Sequence, residues 1–255
     1  METAKRNALV TGATSGIGEA TARLFAAEGW NVIITGRRAE RLRELKQELK
    51  TEYGVDVLAL SFDVRDYHQV SATLGALPGK WRRIDILVNN AGLAAGLEHI
   101  NEGDLLDWEA MIDTNVKGLL YVTRIVSNLM IENGGGHIVN IGSIAGRQVY
   151  ENGAVYCATK HAVRALSEGM RVDLVRHGVK VTEIRPGMVE TEFSEVRFHG
   201  DEARAAAVYE EVEPLTGEDI AAAILWAVTQ PPHVNIDEIA LSPQQQVSAY
   251  YTYRK

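Results

Sequence analysis

Four residues of this sequence are of types that together move protons and stabilise a developing oxyanion. Tyr156 and Lys160 lie four positions apart in Ala154–Arg176, a segment of helical periodicity, so both project from one face. A free tyrosine titrates at about 10, too high for easy proton exchange at neutral pH. A neighbouring ammonium favours the phenolate, so Lys160 is expected to lower the Tyr156 pKa and make it a general acid/base. Ser143 ends the apolar run at Ile141-Gly142-Ser143, where its hydroxyl can donate to a carbonyl oxygen that turns anionic. Asn115, in Asp113-Thr114-Asn115-Val116, falls inside a helical stretch where an amide is mildly unfavourable. It is expected to hold a water linking Lys160 to solvent. A Tyr-x-x-x-Lys pair alone means little, and its weight here comes from the order in which the other signals precede it.

The earliest of those signals is a glycine-rich loop. The apolar run Ala8–Val10 leads into Thr11-Gly12-Ala13-Thr14-Ser15-Gly16-Ile17-Gly18, followed by the helical Glu19–Ala27. The spacing is Gly-x-x-x-Gly-x-Gly rather than the commoner Gly-x-Gly-x-x-Gly. At a strand–helix junction such glycines let backbone approach a pyrophosphate at a helix N-terminus. Gly12, Thr14, Ser15, Gly16, Ile17 and Gly18 are therefore candidate dinucleotide ligands. The second run ends in Thr35-Gly36-Arg37-Arg38, with no acid for a ribose 2′-hydroxyl. Arg37 and Arg38 can instead pair with a 2′-phosphate, which predicts NADP(H) over NAD(H). The bland alternative is a pair of solvated arginines opening a charged helix. The third run ends at Phe62-Asp63-Val64 and the fourth at Asn89-Asn90-Ala91-Gly92, both at carboxyl ends of strands facing the ligand. Asp63 can accept from an adenine amino group, and the small Ala91-Gly92 leaves room beside a ribose.

The elements that must position these groups alternate regularly. Short apolar, β-branched runs at Ala8–Val10, Val32–Thr35, Val55–Leu60, Ile84–Val88, His137–Ile141, Val179–Ile184 and Ile236–Leu241 are separated by longer helical patterns. Leu42, Leu45 and Leu49 make one amphipathic face, and Thr216-Gly-Glu-Asp219 reads as a capping box opening a helix through Gln230, stopped by Pro231-Pro232. Nearly continuous apolar strands imply a parallel sheet covered on both faces, an α/β architecture. No linker or repeat divides residues 1–255, so one domain is expected. Glu190–Glu213 is polar and without clear period, which points to a lid at about 188–213.

Composition excludes other classes. The 255 residues include 34 acidic against 26 basic ones, a formal charge of -8 that makes nucleic acid and anionic membrane poor partners. The longest apolar stretch, Ala221–Val228, is far short of the ~20 residues of a membrane span. The start lacks the apolar region of a secretory signal, and the one cysteine, Cys157, suits a reducing compartment, so a cytoplasmic location is expected. None of the seven histidines has metal-binding spacing, and no metal is expected. Cys157 has no histidine partner nearby in sequence and is not a candidate nucleophile.

Over essentially its full length the chain resembles the short-chain dehydrogenase/reductase family, on Thr11–Gly18, Asn89–Gly92, Asn115, Ser143, Tyr156-x-x-x-Lys160 and Pro186-Gly187. The resemblance implies a doubly wound, Rossmann-type fold of about seven parallel strands, an Asn–Ser–Tyr–Lys tetrad and frequent homotetramers. It makes Tyr156 the general acid/base and Ser143 the group that polarises the carbonyl. It has Lys160 hold the nicotinamide ribose, and places Asn90, Pro186, Val189 and Thr191 among the cofactor contacts.

A narrower resemblance lies in Gly36-Arg-Arg-Ala-Glu-Arg-Leu, Ile112–Gly118, Thr191–Phe198 and Pro232–Ile236. These segments are similar to the NADP-dependent 3-hydroxy acid dehydrogenases, which act on serine, L-allo-threonine and related acids and reduce malonic semialdehyde. Sulfoacetaldehyde reductases are close relatives of that group, and a carrier-protein-linked 3-oxoacyl reductase is the main rival. A non-catalytic NADP-sensing regulator has no need of all four of Asn115, Ser143, Tyr156 and Lys160. A small acid needs a cation near the reacting carbon, for which Arg197 on the lid is the leading candidate, with Arg147 and Arg185 as alternatives. The sequence departs from that subgroup at Gly146–Tyr150 and Tyr250–Tyr253, either of which could border the pocket. Apolar faces on 105–131 and 154–176 suit an interface between copies of the chain.

Overall fold

A computed structural model describes residues 5–255. Its seven strands are β1 (Asn7–Val10), β2 (Asn31–Gly36), β3 (Val57–Ser61), β4 (Ile86–Asn89), β5 (Gly136–Ile141), β6 (Val179–Pro186) and β7 (Glu238–Leu241). All pair in parallel in the order β3-β2-β1-β4-β5-β6-β7. The inner strands are apolar on both faces because both faces are covered. Ala8, Val10, Val32, Ile34 and Val88 point into one core, with α1 (Gly16–Ala27), α2 (Ala39–Tyr53) and α9 (Gly217–Val228). Their strand neighbours Leu9, Ile33 and Leu87 point into the other, with α3 (Tyr67–Gly75), α5 (Leu119–Glu132) and α6 (Ala154–Leu174). The expected face of Leu42, Leu45 and Leu49 is buried on the sheet.

The chain winds outward from β1 to β3, then returns to β4 and continues to β7. The connections of β1 and β4 therefore leave in opposite directions, and a crevice opens at their carboxyl ends. The glycine loop and Asn89–Gly92 lie there.

Several boundaries move. Val55 and Ile84 are buried but precede β3 and β4, so their apolar character reflects packing and not ladder pairing. β7 begins at Glu238, two residues late, and alternates exposed with half-buried positions, as an edge strand with one open face does. The stretch read as one helix over 105–131 is α4 (Leu105–Ile112), a π-helical turn at Asp113–Gly118, then α5. The Thr216–Asp219 capping box is formed, and α9 ends at Val228, two residues before Gln230. The polar segment after β6 contains two short helices, α7 (Phe193–Arg197) and α8 (Glu202–Ala207). Among the described residues no helix is long and apolar enough to cross a membrane.

Candidate active site

The crevice is a cleft of about 490 Å³ running from Arg37 and Arg38 past the glycine loop to Ser143, Tyr156 and Arg197. Its floor is built by close approach. Gly12 has φ +65°, and a Cβ there would lie 3.0 Å from Ala91 Cα. A Cβ on Gly18 would lie 2.4 Å from both Asn90 Nδ2 and Gly12 O, so no side chain fits. Asn90 Nδ2 donates to Thr11 O at 2.9 Å and Gly12 O at 3.1 Å, while Thr11 Oγ1 accepts from the backbone of Asn90 and Ala91. Asn90 thus holds the loop in shape while lining the cleft. Ser15 starts α1 without a side-chain cap, leaving its first N–H groups for an anion. This backbone cradle at a helix start fits a dinucleotide pyrophosphate. Ile17, Asp63, Val64, Gly92, Pro186, Val189 and Thr191 also line the cleft.

The ends of the adenosine side are already engaged. Asp63 is bonded through both oxygens to Arg65; burial would raise its pKa, but the Arg65 bonds outweigh that and hold it low. Arg38 is pinned by Thr14 and Ser15 and paired with Glu192. Among the described residues the Arg37 guanidinium has no hydrogen-bond partner.

The four catalytic candidates converge from three elements. Ser143 lies two residues beyond β5 and receives the N–H of Ala145 on Oγ at 3.1 Å, its own proton reaching Pro186 O only at 3.4 Å. Tyr156 and Lys160 share one face of α6, with Lys160 Nζ 5.8 Å from the phenol ring centroid. Asn115 sits in the π-helical turn and braces the site: Oδ1 accepts from Leu93 N at 2.9 Å, and Nδ2 donates to Leu93 O at 2.8 Å and Thr159 Oγ1 at 3.0 Å. The amide thus braces the segment after β4 against α6, on the side of the site where Lys160 lies.

The electrostatics correct the expectation for Tyr156. Tyr156 is not lowered: burial drives its pKa well above the ordinary value, Tyr150 adds to that, and Ser143 and Arg197 pull it only partly back. Lys160 gives the phenol no help in this state, because its ammonium donates to Ile141 O at 2.9 Å. Burial pulls Lys160 itself down to about 8, with Glu183 partly opposing. Burial disfavours the charged form of both groups, which adjacency along the helix does not reveal.

Arg197 reaches the site from α7. Its Nη2 donates to Tyr150 Oη at 2.9 Å and its Nε to Gly96 O at 3.3 Å. The guanidinium carbon lies 5.7 Å from the Tyr156 ring centroid, and Phe193 meets that ring edge-on at 5.7 Å. The alternatives are elsewhere: Arg147 and Arg185 both pair with Glu238 on the edge strand and do not line the cleft. Of the two departures noted in the sequence, Tyr150 does border the pocket. In the tail it is Gln246 and Ala249 that do so, while Tyr250, Tyr251 and Tyr253 are exposed.

Glu192, Phe193 and Arg41 were missed by the sequence reading. Arg41 had a signal, three residues after Arg38 on α2, but its partner Glu192 is distant in the chain.

Comparison with known proteins agrees with this geometry. Residues 6–202 match the family model for short chain dehydrogenase. The chain is 51% identical over 239 residues to the NADP-dependent 3-hydroxy acid dehydrogenase YdfG of Salmonella typhi, covering 93% of this chain and 95% of that one. It is 47% identical over 239 residues to sulfoacetaldehyde reductase 2 of Chromohalobacter salexigens, covering 93% and 94%. A solved closed form of serine dehydrogenase complexed with NADP+ superposes with a TM-score of 0.91 at 48% identity, covering 98% of this chain and 99% of that one. With its glycine cradle, its Ser–Tyr–Lys convergence and these full-length likenesses, the chain belongs to the short-chain dehydrogenase family.

Proposed function

We propose that the protein is an NADP(H)-dependent oxidoreductase that interconverts small 3-hydroxy acids and their semialdehydes. The observation that carries the substrate class is Arg197, held over the Tyr156 ring by Tyr150 and Gly96 as a cation facing the reaction centre. The relatives named for 3-hydroxy acids and for serine support it.

The cradle from Gly12 to Gly18 would hold the pyrophosphate and Arg37 with Arg38 the 2′-phosphate. When bound, the nicotinamide supplies the hydride. Arg197 binds the substrate carboxylate and so orients the carbonyl. The Ser143 hydroxyl, loosely held by Pro186, turns to donate to the carbonyl oxygen as negative charge builds there. Tyr156, fully protonated at neutral pH, gives its proton to that oxygen. Lys160, whose ammonium now donates to Ile141 O, would hold the nicotinamide ribose. Phe193 and the segment over 188–213 act as a lid that keeps water from the reacting atoms. The catalytic unit spans residues 1–255. It works in the cytoplasm as a homotetramer, supported by the exposed Leu106, Leu120, Val172 and Trp226 on helix surfaces.

A sulfonate offers the same anionic oxygens as a carboxylate, which makes sulfoacetaldehyde the second substrate worth measuring. The test is NADPH consumption against malonic semialdehyde, sulfoacetaldehyde, an uncharged aldehyde of similar length and an acyl thioester. Arg197→Ala is expected to lower kcat/KM for the acid on the order of a hundredfold and to change the uncharged aldehyde little. Equal losses on both would reject the substrate class.

A further inference from the structure

Glu192, the residue before α7, stands where the cofactor reading needs a phosphate. Its Oε2 accepts from Arg38 Nη1 at 2.6 Å, and its Oε1 accepts from Arg41 Nη1. Each arginine is also held by the glycine loop. Arg38 Nη2 donates to Thr14 Oγ1 at 2.9 Å and to Ser15 Oγ at 2.7 Å, and Arg41 Nη1 reaches Thr14 O at 3.3 Å. Two guanidinium groups, oriented by the loop that cradles the pyrophosphate, therefore converge on one anion, an arrangement suited to phosphate. Burial alone would raise the Glu192 pKa, but Arg38 and Arg41 hold it low, so the anion is present at neutral pH. The neighbours of Glu192 couple this corner to the reaction centre: Thr191 Cγ2 packs beside Gly16, and Phe193 lies edge-on to Tyr156.

A carboxylate and a phosphate dianion cannot accept the same N–H groups, and side by side they repel. We propose that Glu192 is an internal stand-in for the 2′-phosphate: it keeps Arg38 and Arg41 in phosphate-binding geometry, tethers the lid in the free protein, and is displaced when NADP(H) binds. NAD(H), without that phosphate, leaves the tether in place, so Glu192 discriminates between the two cofactors through the lid as well as at the arginines. This inference rests on the NADP(H) reading above and adds Glu192 and Arg41 to it.

The test uses the intact wild type and Glu192→Gln, with calorimetric titration and hydrogen exchange over 190–213. Glu192→Gln frees two half-exposed arginines from an ion pair, so NADPH is expected to bind about fivefold tighter while NADH changes less than about twofold. In the wild type, adenosine 2′,5′-bisphosphate should speed exchange over 190–213, whereas adenosine 5′-monophosphate should not. In the variant the free protein should already exchange at the faster rate. Unchanged or weaker NADPH binding by the variant, or a lid in the wild type that responds alike to both fragments, overturns the proposal. Failure of the cofactor reading itself would show separately, as wild-type protein that binds NADH at least as tightly as NADPH.

Discussion

Tyr156 and Lys160 illustrate how burial acts on groups that the chain places side by side. The phenol keeps its proton far into the alkaline range, so it enters carbonyl reduction as an acid. Tyr156→Phe is expected to lower kcat on the order of a thousandfold with NADPH affinity unchanged, measured by steady-state rates and titration. Lys160 is the group that titrates nearby. Its pKa is depressed to about 8, so it is mainly charged at neutral pH and loses that charge as the pH rises through about 8. NADPH affinity of the wild type should weaken across that interval, and Lys160→Met should bind more weakly with no such transition. Tyr150 fixes Arg197 through its phenol oxygen. Tyr150→Phe should therefore raise KM for the acid substrate about fivefold, leave kcat near its original value and spare the uncharged aldehyde.

The π-helical turn between α4 and α5 shows what an element contributes beyond its residues. It carries Asn115 inward, where the amide is buried and satisfies both backbone groups of Leu93. Asn115→Leu keeps the volume but strands those groups, and should cost about 2–3 kcal/mol in denaturant unfolding. The junction of β1 and α1 is equally intolerant. Gly18→Ala would press a methyl into Asn90 and the Gly12 carbonyl, so it should weaken NADPH binding and destabilise the protein by roughly 1–3 kcal/mol by thermal unfolding. Periodicity revealed α6 with Tyr156 and Lys160 on one face, because a helix repeats every few residues. It could not reveal the π turn, since one extra residue in a turn leaves the apolar pattern over 105–131 almost intact.

The parallel sheet organises these parts by sending every strand's carboxyl end to one side. Residues from β1, β2, β4, β5 and β6 consequently meet in one cleft although they span most of the chain. The outer surface has its own consequence: Leu106, Val172, Val175 and Trp226 are large apolar side chains left exposed on helices. In the proposed tetramer they lie at contacts between copies. Sedimentation should give four subunits, and Val172→Asp with Val175→Asp should yield smaller species that remain folded by circular dichroism.

Local spacing was enough for the glycine loop at its strand–helix junction, for Tyr156 and Lys160 on one helix face and for the capping box at Thr216, because each depends on residues within one turn or one junction. The alternation of apolar runs was enough for the parallel sheet, because two-sided burial calls for strands that are apolar at most positions on both faces. Contacts between distant segments had to wait for the packed molecule: Glu192 on Arg38 and Arg41, Tyr150 on Arg197, Gln246 at the cleft. So did the rise in the Tyr156 pKa, which is set by the exclusion of water when α7, α6 and the loop after β5 come together. Desolvation and long-range pairing belong to the assembled fold, and no local pattern along the chain encodes them.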